Sequence, residues 1–123
     1  MQLRKVGNHK VWLSIDTVKT SGNSCHRIYE LRFHKNQDWF AQMICTFKDN
    51  EIRLHWIQVT SKFQDLGYGT FLINQVLKYG KKVTACTHYG AIRFFIKHQF
   101  IPRPNKDNNT LLDLEWSPDW VKL

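Results

Sequence analysis

The chain is poor in cysteine and proline and has no long apolar run. Its three cysteines, Cys25, Cys45 and Cys86, are odd in number, widely separated and without any Cys-x-x-Cys spacing. That excludes a disulfide framework and a zinc-finger arrangement, and it fits a reducing compartment. Cys45 and Cys86 lie in apolar runs and read as small buried hydrophobes. No stretch reaches the roughly 20 apolar residues that a membrane-spanning helix needs, and Met1-Gln2-Leu3-Arg4-Lys5 lacks the apolar core of a signal peptide. The expectation is a soluble, cytoplasmic protein. With three prolines and six glycines in 123 residues there is no low-complexity linker and no internal repeat, so residues 1–123 are expected to form a single domain.

Negative charge is also scarce. Ten Asp and Glu stand against 18 Lys and Arg, for a formal charge of +8. This balance favours an acidic partner, whether the phosphates of a ligand, an acidic protein surface or nucleic acid. The basic residues are scattered along the chain, and no recognised nucleic-acid motif accompanies them.

What the chain does have is apolar and aromatic material in strand-like order. Hydrophobic residues make up 42%, including eight Phe and five Trp, enough for one packed core. Alternation and turn residues predict strands over Lys10–Val18, Arg27–His34, Trp39–Lys48 and Glu51–Val59, an antiparallel meander. Leu72, Ile73, Val76 and Leu77 then recur at helical spacing, predicting a helix over Thr70–Tyr79 stopped by Gly80. A fifth strand over Lys82–His88 follows, so strand, helix and strand imply a parallel pair with a right-handed crossover. A second helix over Tyr89–Gln99 is expected to bury Ile92, Phe95 and Ile96. Two last strands, Phe100–Pro102 and Thr110–Trp116, flank a polar loop over Arg103–Asn109. Trp116 and Trp120 read as exposed aromatics suited to a homodimer seam.

The most informative segment is Gln64-Asp65-Leu66-Gly67-Tyr68-Gly69, between the fourth strand and the first helix. A glycine-rich turn there aims free backbone N–H groups and the positive end of a helix dipole at one point, a ready site for phosphate. Gly67 would let the backbone turn into the helix, and Gly69 would let a ligand lie against its first turn.

This Gln-x-x-Gly-x-Gly turn, after a strand ending in Ile57-Gln58-Val59, resembles the acyl-CoA signature of the GNAT superfamily of N-acyltransferases. Downstream, Ala91-Ile92-Arg93-Phe94-Phe95-Ile96-Lys97-His98-Gln99-Phe100 is similar to the family's second signature helix. Together the two motifs cover roughly the second half of the chain. The resemblance implies an α+β fold: a mixed, mostly antiparallel twisted sheet of about six to seven strands, two main helices, and a V-shaped splay between strands four and five. Pantetheine of coenzyme A would fill that splay. The family usually has two helices between its first two strands. Thr20–Cys25 is too short for either, so the acceptor side should be more open.

The implied activity is transfer of an acetyl group from acetyl-CoA to a primary amine, and the open acceptor side leans toward a protein lysine or N-terminus. The implied cofactor-binding residues are Ile57, Gln58 and Val59, whose backbone would pair with pantetheine, Gln64, Asp65, Leu66, Gly67, Tyr68, Gly69 and Thr70, whose amides would hold the pyrophosphate, and Phe95 of the second helix. Phe95 stands where many members carry a Tyr that protonates the departing thiolate, and it has no proton to give. Arg53 stands where some carry a basic Glu. His55, two residues on, is therefore the first candidate general base, with an ordinary pKa near ~6.5. Glu51 is another, and His88, at the end of the fifth strand, is a further catalytic candidate. No metal is implied. The alternative is a GNAT-like module with little or no catalysis that binds an acidic protein or nucleic-acid partner through its basic, aromatic surface.

Overall fold

Alternating apolar positions turn most of the chain into one sheet. The computed structural model describes residues 1–20, 22–88, 91–104 and 111–121. Its strands are β1 (Gln2–Val6), β2 (His9–Lys19), β3 (Cys25–Arg32), β4 (Ala41–Phe47), β5 (Glu51–Val59), β6 (Lys82–His88), β7 (Ile101–Pro104) and β8 (Leu111–Trp116). They form an eight-stranded sheet in the order β1-β2-β3-β4-β5-β6-β8-β7. Neighbours are antiparallel except β5 and β6, which run parallel because helix α1 (Tyr68–Leu77) crosses between them.

On one face Val11, Leu13, Tyr29, Leu31, Met43, Cys45, Ile52 and Leu54 are buried against Leu72, Ile73 and Val76 of α1. Each fully buried aliphatic side chain there contributes roughly 1.5–3 kcal/mol. The helix stops where the chain needs a left-handed residue: Gly80, at φ +66°, donates its N–H to the Leu77 carbonyl at 3.1 Å.

The expected strand and helix order holds, with several differences, and α1 lies two residues earlier than the expected Thr70–Tyr79. β1 is additional: its charged residues hide it, and the signal is the Gly7-Asn8 turn, with Gly7 at φ +60°, between it and β2. Helix α2 is shorter than expected, Ile92–Lys97, and buries Phe95 but not Ile96, which is 50% exposed. Over so few residues only the Ile92–Phe95 side can face inward. Trp116 is buried opposite Val83 of β6, so it offers no exposed seam, and the side chain of Trp120 lies outside the described residues. Arg103 and Pro104 belong to β7; the rest of the expected polar loop lies outside the described residues. The chain closes with a short helix, α3 (Pro118–Val121).

Two irregularities shape the site. β5 pairs with β6 only over Glu51–Leu54 against Lys82–Ala85, and beyond these residues both strands continue without pairing to each other. This is the expected splay, one strand later in the count because of β1. On its other side β5 carries a bulge: Ile44 of β4 lies opposite Trp56 and Cys45 opposite Leu54, which leaves His55 without a register partner.

Candidate functional site

The splay opens a cleft of about 860 Å³. One wall is the end of β5 and the turn after it, with Leu54, His55, Trp56, Ile57, Val59, Phe63, Gln64, Asp65, Gly67, Gly69 and Thr70. The other is Ala85, Cys86 and Thr87 of β6 with Ala91, Phe94, Phe95 and Lys97.

The turn is built by its backbone. After a 3₁₀ turn at Ser61–Phe63, Asp65 adopts φ +64°, and Gly67 caps α1 at φ +92° and ψ 0°. A left-handed N-cap without a side-chain hydrogen bond leaves the first amides of α1 free. The Gly67 carbonyl accepts from Phe71 N at 2.9 Å and closes the first helical turn. No acidic residue lies within that first turn. Its positive end therefore meets no carboxylate within the turn itself, although Asp65 lies on the same cleft wall, and its amides suit an anion. Gln64 Nε2 donates to the Val59 carbonyl at 3.0 Å and ties the turn back to the strand.

The two glycines differ in use. A Cβ on Gly67 would meet only Val6 Cγ1 at 3.9 Å, so this residue is set by its positive φ. A Cβ on Gly69 would stand 2.9 Å from Phe94 Cε1. The space above Gly69 is thus filled by the Phe94 ring.

The structure brings most of the candidate residues together. The backbones of Ile57 and Val59 run along the cleft, and Phe95, 3% exposed, lines it with a ring that carries no phenol. Gln58 and Leu66 are exposed and lie off the cleft wall. Tyr68 is 2% exposed, with its ring 4.7 Å from that of Phe40, so only its backbone amide is left for the turn. His88 ends β6, and its side chain lies outside the described residues.

His55 lines the cleft and has its Nε2 2.7 Å from Thr46 Oγ1. Its side chain is exposed on the cleft wall, and partial desolvation of the ring, then Arg53, His26 and Lys48, lower its pKa. The imidazole is therefore neutral near pH 7 and able to accept a proton. Glu51 instead pairs with Lys48 at 3.9 Å. Burial, followed by nearby Asp113, raises the Cys86 thiol, which disfavours the thiolate a nucleophile needs. Among the described residues no group of three or more His, Cys, Asp or Glu could hold a metal ion, and no helix is long and apolar enough to cross a membrane.

Sequence reasoning missed Phe94, Cys86 and Thr87 as cleft residues, and Thr46 and His26 as neighbours of His55. For Phe94 the motif was visible but not the direction of its ring. Thr46 and His26 become neighbours only through strand register.

A mixed sheet, splayed at its one parallel pair and with a glycine turn at the mouth of the splay, is the fold of the GNAT acetyltransferases. Among solved structures the chain is similar to an acetyltransferase from Bacillus cereus, with TM-score 0.65 and 12% identity over 76% of this chain and 74% of that one. It is similar to the Bacillus subtilis N-acetyltransferase YlbP in complex with coenzyme A, with TM-score 0.63 and 17% identity over 75% and 68%. It is also similar to Arabidopsis thaliana Naa50 in complex with the bisubstrate analogue CoA-Ac-MVNAL, with TM-score 0.61 and 14% identity over 73% and 72%. No protein-family model matches the sequence, and no curated protein matches it.

Proposed function

We propose that this protein is an N-acyltransferase that carries an acetyl group from acetyl-CoA to a primary amine. The observation that carries the reading is the left-handed Gly67 cap on the cleft wall, which gives the first amides of α1 no side-chain partner. These amides suit a pyrophosphate. Beyond Leu54 the β6-facing edge of β5 has no strand partner, so a pantetheine chain can pair along Ile57 to Val59 as an added strand would, apart from the Val59 carbonyl that Gln64 holds. Coenzyme A is the ligand of YlbP, which shares the fold.

When bound, acetyl-CoA supplies an activated acyl carbon and a thiolate leaving group. The chain's own residues must accept a proton from the attacking amine and hold the reacting groups together. His55, neutral and on the cleft wall, is the proton acceptor, directly or through one water. Phe95 excludes water but cannot reprotonate the thiolate. That proton comes from solvent or from another cleft group, and a modest rate is expected. Only residues 20–24 separate β2 from β3, and Thr20 N–H donates to the Ser24 carbonyl at 3.1 Å. The acceptor side is therefore open enough for a protein lysine or N-terminus.

The test is incubation with acetyl-CoA and a panel of amines: a peptide with a free N-terminus, an N-blocked lysine peptide and a polyamine. Release of coenzyme A thiol is followed with a disulfide reagent, and the acetylated product by mass spectrometry. Amine-dependent release with acetylated product supports the reading. Acetyl-CoA binding without acetylation of any amine would favour a docking module that keeps the cofactor site.

A further inference from the structure

Three strands place His26, Thr46 and His55 in one row. His26 and Thr46 are register partners on β3 and β4. Thr46 lies opposite Arg53 on β5, and the bulge that begins at Leu54 delivers the His55 ring to the same hydroxyl. His26 Nδ1 lies 2.6 Å and His55 Nε2 2.7 Å from Thr46 Oγ1, and the ring centroids are 6.2 Å apart. Thr46 is 6% exposed, so its hydroxyl has little recourse to water.

A hydroxyl has one proton to give. Both rings could donate to the hydroxyl oxygen, but the buried Thr46 proton would then lack a partner; satisfying it requires one neutral ring to donate to Thr46 and the other to accept from it. Two arrangements satisfy this. In the first, His55 donates from Nε2 and Thr46 donates to a bare Nδ1 on His26, so each ring carries its proton on Nε2. In the second, both rings carry the proton on Nδ1. A neutral imidazole side chain in water prefers the Nε2–H form, so the first arrangement satisfies both rings and the second neither. The titratable groups acting on His55 are Arg53 on its own strand, Lys48 beyond β4 and His26 on β3, none of them a carboxylate. Among the described residues no carboxylate acts on it to set the opposite tautomer.

We infer that the Thr46 hydroxyl, oriented by His26, holds His55 with Nε2 protonated and Nδ1 bare, making Thr46 and His26 positioning residues for a base at the cleft. The inference rests on the acyl-transfer reading for its purpose but not for its geometry. In the reaction, Nδ1 of His55 takes one proton from the amine and becomes imidazolium. Its Nε2–H bond to Thr46 is kept, and the proton later leaves Nδ1 to water, so atoms and charge balance.

Long-range ¹H–¹⁵N spectra of the histidine-labelled protein near neutral pH test this without any substrate. The expected result is Nε2–H on both His26 and His55; a proton on Nδ1 of His55 overturns the inference. His26→Leu removes the acceptor of the Thr46 proton, so Thr46 can donate to His55 and shift it toward the Nδ1–H form. An unchanged His55 tautomer in a folded His26→Leu variant would overturn the role given to His26. For transfer itself, Thr46→Val should lower kcat by about tenfold or more, with KM for acetyl-CoA unchanged, and Thr46→Ser should restore it. An equal loss in Val and Ser variants would count against the hydroxyl. If the native chain transfers nothing, the acyl-transfer reading fails while the tautomer result still decides the geometry.

Discussion

Gly69 and Phe94 are packed so closely that a Cβ on the glycine would stand 2.9 Å from the ring carbon Cε1. The contact locks the first turn of α1 to α2, across the cleft. In an exposed helix interior Gly→Ala gains about 1 kcal/mol. Here the ring must move instead, and overpacking costs roughly 1–3 kcal/mol.

Gly69→Ala is therefore expected to destabilise the protein, and Gly69→Ala with Phe94→Leu to be more stable than Phe94→Leu alone. Urea denaturation of the four proteins in this cycle checks the reversal of sign. A destabilising effect of the alanine in both backgrounds would show that the glycine is needed for some other reason.

Gln64 holds the turn to the end of β5 through the Val59 carbonyl. Gln64→Glu removes the donor and adds a negative charge beside the free amides. Because the bond is exposed, stability should change by less than about 1 kcal/mol. The apparent affinity for acetyl-CoA should fall about tenfold at low salt, with a smaller deficit at high salt. Titration at the two salt concentrations checks this, and equal affinity for the two proteins would remove Gln64 from the account.

Arg27 joins the turn that follows α1 to the sheet and does not line the cleft. Its guanidinium carbon lies 4.1 Å from the centre of the Phe47 ring, and its Nη1 donates to the Tyr79 hydroxyl at 2.7 Å. Arg27→Met keeps an apolar stem and loses both interactions, so a stability loss of about 1–2 kcal/mol is expected. Acetyl-CoA affinity should be unchanged. A variant with native stability would show that the pair is too solvated to matter.

Acid should weaken the fold in a defined window. His55 and His98 both titrate below the ordinary imidazole value, in each case first through desolvation, and for His98 next through Lys97. The unfolded chain then binds protons before the folded one does, so unfolding becomes easier as pH falls below about 6.5, and the loss is complete below the folded values. Glu115, held low by Lys82, acts in a separate window below its ordinary value of 4.5. Urea midpoints at about pH 7.5 and about pH 5.5 should show the decrease, and His98→Gln should reduce it. Greater stability at the lower pH would contradict it.

The sheet was legible wherever one face is buried. The bounds of β5 and β6 follow directly from their apolar runs, and the Gly67 turn from its glycines. β1 was not, because Arg4 and Lys5 mask a strand that exists by pairing with β2. Helix α2 was read too long, since a motif shows which residues are helical but not where packing ends. At the site, residues close in sequence were visible: His55, Gln64 and Gly69. Thr46 and His26 were not, because their approach to His55 depends on strand register and on a bulge that no local pattern reports. Phe94 belongs to the second motif, but a motif does not report that its ring fills the space above Gly69.

The most direct measurement is calorimetric titration of the protein with acetyl-CoA beside a Gly67→Trp variant, with circular dichroism to verify that both are folded. The account predicts saturable binding by the native chain, of order micromolar or about −8 kcal/mol, and its loss in the folded variant, whose indole would cover the free amides of α1. Absence of binding by the native chain, or equal binding by both proteins, would contradict a cofactor site at the Gly67 turn.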